Sequence, residues 1–253
     1  MFETIRVRRE ESACFIQLHR PDANNTINAT LIAELHAVLA ECRSGASIVV
    51  LEGLPEVFCS GADFQQIAAD ASAARAQDSD PGLLYDLWEQ MATGPYVTIS
   101  HVRGKVNAGG VGFVAASDIV LADSTAQFSL SEMLFGLYPA CVLPFLIRRV
   151  GFQRAHYLTL TTQAVSVEKA HGWGLVDAWD VQGEVLLRKH LLRLRCLSKE
   201  AIRSYKEYMN ELHPAPAGQR AVALEGNRRI FSDPRNIAAI ARYVKEGLLP
   251  WER

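Results

Sequence analysis

The short run Ile48-Val49-Val50-Leu51, closed by Gly53-Leu54-Pro55, constrains the fold more than any other segment. An apolar run this short, with no polar alternation, suits a strand covered on both faces, as in a parallel sheet flanked by helices. Two later segments read as further strands, Val97-Thr98-Ile99-Ser100-His101-Val102 and Ile119-Val120-Leu121-Ala122. Ahead of them, Ile5-Arg6-Val7 and Ala13-Cys14-Phe15-Ile16-Gln17-Leu18 predict a hairpin turning at Glu10-Glu11. Arg20-Pro21-Asp22 breaks that pattern, and Leu31, Leu35, Val38 and Leu39 then recur at helical spacing. Residues 68–82, rich in Ala, Asp and Ser, carry no apolar stripe. Strand signals on both sides make this stretch a mobile lid or loop rather than a domain linker.

From Gly183 the pattern is helical throughout. Val185, Leu186, Leu187, Leu191, Leu192 and Leu194 predict one apolar helix, and His213-Pro214-Ala215-Pro216 a break. In the last helix Ser232 or Asp233 serves as cap, Pro234 fits the first turn and Gly247 closes the end. The chain therefore divides into an α/β core, residues 1–182, and a helical C-terminal region, residues 183–253.

A net charge of −2 over 253 residues gives no global attraction to nucleic acid or to an acidic membrane. No stretch approaches the roughly 20 apolar residues of a membrane span. The first residues lack the apolar core of a signal peptide. The five cysteines are scattered and form no C-x-x-C pair, which argues against a disulfide framework and a zinc site. The expectation is a cytoplasmic protein with reduced thiols and no metal.

Three segments carry candidate chemistry. Cys59-Ser60-Gly61-Ala62-Asp63-Phe64 follows the buried strand and enters a helix. Small residues there let a ligand approach the main chain, and amides opening a helix point outward unpaired. Asp63 suits a helix cap as well as a catalytic carboxylate. Val106-Asn107-Ala108-Gly109-Gly110-Val111-Gly112 also leads from a strand into a helix, whose N-terminal amides suit developing negative charge. This segment contains G-x-G-x-x-A, but the short helix and the lack of an acidic residue about 20 positions on exclude a dinucleotide fold. Gly110 stands where a P-loop needs lysine. The third segment places Glu132 alone in an apolar run from Ala126 to Pro139. A carboxylate partly buried there would have a raised pKa and trade protons near neutrality.

In order and spacing these segments resemble the enoyl-CoA hydratase/isomerase (crotonase) superfamily. The likeness runs from Ile5 into the C-terminal helices. It includes Arg20-Pro21, Ser60-Gly61-Ala62-Asp63, Gly109-Gly110, Asp118-Ile119, Ala126-Gln127-Phe128 with Glu132, and residues 170–176. The resemblance implies a crotonase-like spiral of ββα units with a C-terminal helical trimerisation region, assembling as a homotrimer or hexamer. By position it implies an oxyanion hole from the N–H groups of Ala62 and Gly109. Two fixed donors of this kind lower a barrier by a few kcal/mol each. Typical hydratases of the family carry two glutamates; the second matches Glu132, and the first falls on Gly112.

A narrower likeness, in residues 102–110, 137–149 and 188–194, is to the polyketide-biosynthesis enoyl-CoA hydratases. It implies dehydration of 3-hydroxy-3-methylglutaryl on acyl carrier protein to the 3-methylglutaconyl thioester, with the acyl group on phosphopantetheine or CoA and no other cofactor. Glu132 is then the first candidate for proton transfer and Asp63 the second. Asn107 is a candidate to orient substrate, and Tyr85 and Tyr138 to contact its distal carboxylate. Cys59 and Cys141 carry no nucleophile signal, and His101 reads as a satisfied buried histidine. Arg148, Arg149, Arg154, Arg188 and Lys189 are candidates to meet an acidic carrier protein or a CoA phosphate. The alternatives are a crotonase-fold decarboxylase or isomerase, and a silent carrier-binding scaffold.

Overall fold

The computed structural model describes residues 2–73 and 80–252. Strands β1 (Ile5–Glu10) and β2 (Ala13–Leu18) form the expected hairpin, with Glu11 in the left-handed region at φ 48°. Asn28 caps α1 (Ala29–Gly45), accepting from the Leu31 amide, and the helix buries Leu31, Leu35, Val38 and Leu39. The chain then runs through β3 (Ile48–Glu52), β4 (Val57–Cys59), α2 (Phe64–Ser72), α3 (Pro81–Thr93), β5 (Val97–Val102) and β6 (Lys105–Asn107). It continues with α4 (Gly109–Ala116), β7 (Ile119–Asp123), β8 (Gln127–Ser129), α5 (Leu143–Val150), α6 (Phe152–Thr161) and β9 (Val165–Ser166). After α7 (Val167–Gly172) and β10 (Ala178–Asp180) come four helices: α8 (Gly183–Leu194), α9 (Lys199–Leu212), α10 (Arg220–Phe231) and α11 (Pro234–Glu246).

Two sheets organise this order. The larger runs β1-β2-β3-β5-β7-β10, and every pair in it except the first hairpin is parallel. Ile48, Val49, Val50 and Leu51 are buried, because α1 and α3 cover one face of the sheet and α8 the other. The smaller sheet runs β4-β6-β8-β9, with β4, β6 and β8 parallel. Each larger-sheet strand β3, β5 and β7 is followed by its smaller-sheet counterpart β4, β6 or β8. The chain thus winds both sheets together.

The stretch read as a loop is helical on both sides of residues 74–79, which lie outside the described residues. Asp63 and Asp80 cap α2 and α3, and Pro81 sits in the first turn of α3. The alanines that blurred the apolar stripe are good helix formers. Ala68 is buried on α2, which packs against α11. On α11 the cap is Asp233 rather than Ser232, accepting from the Arg235 amide, and Gly247 ends the helix at φ 71°. The expected apolar helix is two-faced: Leu187 and Leu191 are buried, whereas Leu192 is 63% exposed. No helix among the described residues is long and apolar enough to cross a membrane.

Candidate active site

The parallel strands β4, β6 and β8 end side by side, and the three candidate segments leave from those ends. Carboxyl ends of parallel strands are where such sheets gather ligands, because the chain turns outward there. Ala62 follows β4, Gly109 follows β6 and Glu132 follows β8.

The first two turns touch. Gly61 has φ 86°, and a Cβ on it would lie 2.5 Å from Ala108 Cβ and 3.1 Å from the Gly109 nitrogen. Ala62 is tied by a bridge to Ile27, whose amide donates to the Gly61 carbonyl at 2.8 Å. Ala108 adopts φ 51°, ψ −124°, a region costly for any residue with a Cβ. That conformation is held by its amide donating to Ser129 O (3.0 Å) and its carbonyl accepting from Val111 N (2.9 Å). Glycine is required at 110, where a Cβ would sit 2.5 Å from the Cys59 carbonyl oxygen. Among the described residues neither the Ala62 nor the Gly109 amide has an acceptor.

Asp63 is engaged on both oxygens. Oδ1 accepts from the Gln66 amide (3.2 Å), the capping bond of α2. Oδ2 accepts from Arg20 (3.0 Å) and from the Thr26 hydroxyl (3.1 Å). Arg20 also holds the Thr26 carbonyl and hydroxyl. These bonds make Asp63 a cap and a clamp on the Ala62 turn, so of its two possible roles the geometry supports capping.

Glu132 opens a short 3-10 turn, Glu132–Phe135. The residue as a whole is half-buried, but its Oε2 is cut off from solvent and has no partner among the described residues. Burial pushes this carboxyl up to about 7, outweighing the lowering effect of its own backbone N–H. Asn107 donates to the Ser131 hydroxyl (2.8 Å) and accepts from Ser129 (2.9 Å). Its amide thereby braces the segment that leads to Glu132, through one Nδ2 hydrogen and Oδ1.

Three sequence expectations require correction. Tyr85 is fully buried and its hydroxyl donates to the Pro216 carbonyl, so it belongs to the core beside Phe145. Tyr138 lies against α10, its hydroxyl 3.4 Å from both Gly226 O and an Arg229 nitrogen. Neither tyrosine has a free hydroxyl for a substrate carboxylate. Arg149 is a structural clamp, donating to Leu175 O, Ser117 O and Asp177, whereas Arg148, Arg154, Arg188 and Lys189 are exposed. Cys59 and Cys141 are buried, which raises their thiols to about 12 and about 11. Thiols held that high stay protonated and are inert at neutral pH.

His101 is only half satisfied: Nδ1 lies 2.9 Å from Glu52 Oε1, and Nε2 has no partner among the described residues. Glu184 completes a group whose ligand atoms fall within 4.8 Å of one another, although an Arg103 nitrogen lies 3.5 Å from Glu184. Spacings of 49 and 83 positions hid this group from any sequence motif.

Sequence reasoning also missed Trp88. A Cβ on Gly112 would lie 2.3 Å from Trp88 Cζ2 and 2.6 Å from Cε2. The indole therefore fills the space that a side chain at 112 would enter. Residues 88 and 112 meet only through the packing of α3 on α4, so no local pattern announces the contact.

The family model for enoyl-CoA hydratase/isomerase matches residues 8–252. The chain belongs to that family. It is 60% identical over 252 residues, covering 99% of this chain and 97% of the relative, to the bacillaene synthase dehydratase PksH of Bacillus subtilis. A probable enoyl-CoA hydratase of Rhodobacter capsulatus is 30% identical over 75% of this chain and 72% of its own length. The crystal structure of the B. subtilis polyketide-biosynthesis enoyl-CoA hydratase pksH superposes with a TM-score of 0.97 at 58% identity, covering 99% of this chain and all of that one. Methylmalonyl-CoA decarboxylase superposes at 0.81 with 19% identity, over 100% of this chain and 99% of that one, a likeness of fold alone. The architecture is the crotonase fold, with the helical C-terminal region expected of it.

Proposed function

We propose that this family member is a hydro-lyase that dehydrates a β-hydroxyacyl thioester, with 3-hydroxy-3-methylglutaryl on acyl carrier protein as its substrate. The observation that carries the reading is the single carboxyl at the site with its pKa near 7, Glu132, at the strand ends that also present the Ala62 and Gly109 amides. The dehydratase name of the 60% identical relative supports the direction of the reaction.

The Glu132 carboxylate removes an α-proton, and the electron pair moves into the thioester carbonyl. The enolate oxygen accepts hydrogen bonds from the Ala62 and Gly109 amides. As the enolate collapses to the α,β-double bond, the β-hydroxyl leaves and takes the proton back from the Glu132 carboxylic acid. Water and the enoyl thioester form, and the carboxylate is restored. A pKa near the working pH lets one group both accept and return the proton. Asp63 and Asn107 fix the frame without exchanging protons.

The thioester arrives on phosphopantetheine, and exposed Arg148, Arg154, Arg188 and Lys189 give the carrier protein a basic surface. On α9, Tyr205, Tyr208, Met209 and Leu212 are exposed at helical spacing, an apolar stripe that supports a homotrimer through the C-terminal helices.

The test is to incubate wild type and Glu132→Gln with the carrier-bound substrate and follow loss of one water by intact mass. Wild type loses water, and the variant is slower by about 10²–10⁴-fold, the contribution of a positioned acid–base. Release of carbon dioxide without water loss, or a variant of near-normal rate, contradicts the reading.

A further inference from the structure

Glu52 and His101 are paired in register near the ends of β3 and β5. Counting back by twos, Val50 and Ile48 share the face of Glu52, and Ile99 and Val97 that of His101. Those apolar residues pack with Leu187 and Leu191 of α8, so both polar side chains stand at the edge of the layer between the larger sheet and α8. Glu184, in the first turn of α8, meets them there. A ring nitrogen of His101 and one carboxylate oxygen from each glutamate all lie within 4.8 Å of one another.

The three are unequally exposed. The His101 side chain is fully buried, whereas those of Glu52 and Glu184 are 16% and 65% exposed. Nδ1 of the ring lies 2.9 Å from Glu52 Oε1, and Nε2 has no partner among the described residues. In the neutral ring the Nδ1 proton goes to Glu52 and Nε2 presents a lone pair. Nε2 faces the start of α8: a Cβ on Gly183, the residue before Glu184, would lie 3.1 Å from it. A carboxylate that holds one ring nitrogen and leaves the other bare is the arrangement that orients a metal-ligating imidazole.

We propose that His101, Glu52 and Glu184 bind a divalent transition-metal cation of the zinc class, which ties α8 to the larger sheet. Two carboxylates balance the charge of the ion, and one imidazole adds a donor that suits zinc. Ligand atoms of a tetrahedral zinc, with bonds of about 2.0–2.1 Å, stand about 3.3 Å apart, so this group must draw together. The exposed Glu184 supplies that movement by rotating between side-chain rotamers. Arg103, with a nitrogen 3.5 Å from Glu184 Oε1, is the competing cation that the ion displaces. The site uses no cysteine, which is why the scattered thiols gave no sign of it.

The test titrates Zn2+ by calorimetry into the chelator-treated full chain, as wild type, Glu184→Gln and Arg103→Gln. Wild type binds one ion per chain. Glu184→Gln binds it at least about tenfold more weakly, and Arg103→Gln, relieved of the competing charge, about threefold more tightly. Saturating zinc raises the melting temperature of wild type by about 5 °C and leaves that of Glu184→Gln in place. A second measurement needs no variant: Co2+ bound to wild type shows ligand-field bands in the visible and no thiolate charge-transfer band. Wild type that binds no zinc, or Glu184→Gln that binds it at wild-type strength, overturns the proposal. So does a cobalt spectrum with thiolate charge transfer, which marks capture at the exposed Cys196.

Discussion

Positions 112 and 132 are where the sequence likeness places the family's two glutamates, and the fold treats them in opposite ways. At 112 the helix that opens with the Gly109 amide carries no side chain, and the Trp88 indole occupies the volume within 2.6 Å of where a Cβ would be. At 132 a carboxyl is kept, cut off from water on Oε2 and pushed up to about 7. Packing removes one acid, and desolvation makes the other a stronger base. In the proposed reaction a single proton carrier needs that tuning, because it must be basic enough to take a proton and acidic enough to return it.

The most forceful way to break this contrast is to put a glutamate back. Gly112→Glu drives a Cβ into the Trp88 ring and buries a second charge without a partner. We expect a loss of about 3–5 kcal/mol, which in a chain of this size lowers the melting temperature by roughly 10 °C. Pairing it with Trp88→Ala relieves the overlap and recovers part of the loss. An unchanged thermal melt for the single variant would mean that the indole does not own that volume.

A smaller effect sharpens the other side of the comparison. Asp63→Asn keeps the Oδ1 capping bond to Gln66 and gives up the ion pair with Arg20. The melting temperature should fall by about 2–4 °C, as for the loss of roughly 1 kcal/mol, while the rate of water loss changes by less than about tenfold. A collapse in rate comparable to that of Glu132→Gln would make Asp63 a second proton carrier.

These contrasts also separate what was legible in the sequence from what was not. The hairpin of β1 and β2, the buried run Ile48-Val49-Val50-Leu51 and the Asp233-Pro234 start of α11 were readable because each element carries its own pattern. β4, β6, β8, β9 and β10 span two or three residues each, too short for any periodicity, although they align the site. Gly112 could be read as a missing acid, but the reason for the gap stands 24 positions upstream in Trp88. The engagement of Asp63 by Arg20 links residues 43 apart. Tyr85 has a substrate-like hydroxyl in sequence and a core address in space, facing Pro216. Patterns local to one element survive translation into sequence; pairings made by packing do not.

The central claim is that the Glu132 carboxylate is the one base of the site, and the pH dependence of kcat/KM for water elimination tests it most directly. The form that works is deprotonated, so a carboxyl raised by burial gives low activity in acid and rising activity as it ionises. The account predicts a tenfold rise per pH unit below an apparent pKa of about 7, levelling above it and absent from the residual activity of Glu132→Gln. A rate already at its plateau near pH 5, as an ordinary exposed carboxylate would give, contradicts it.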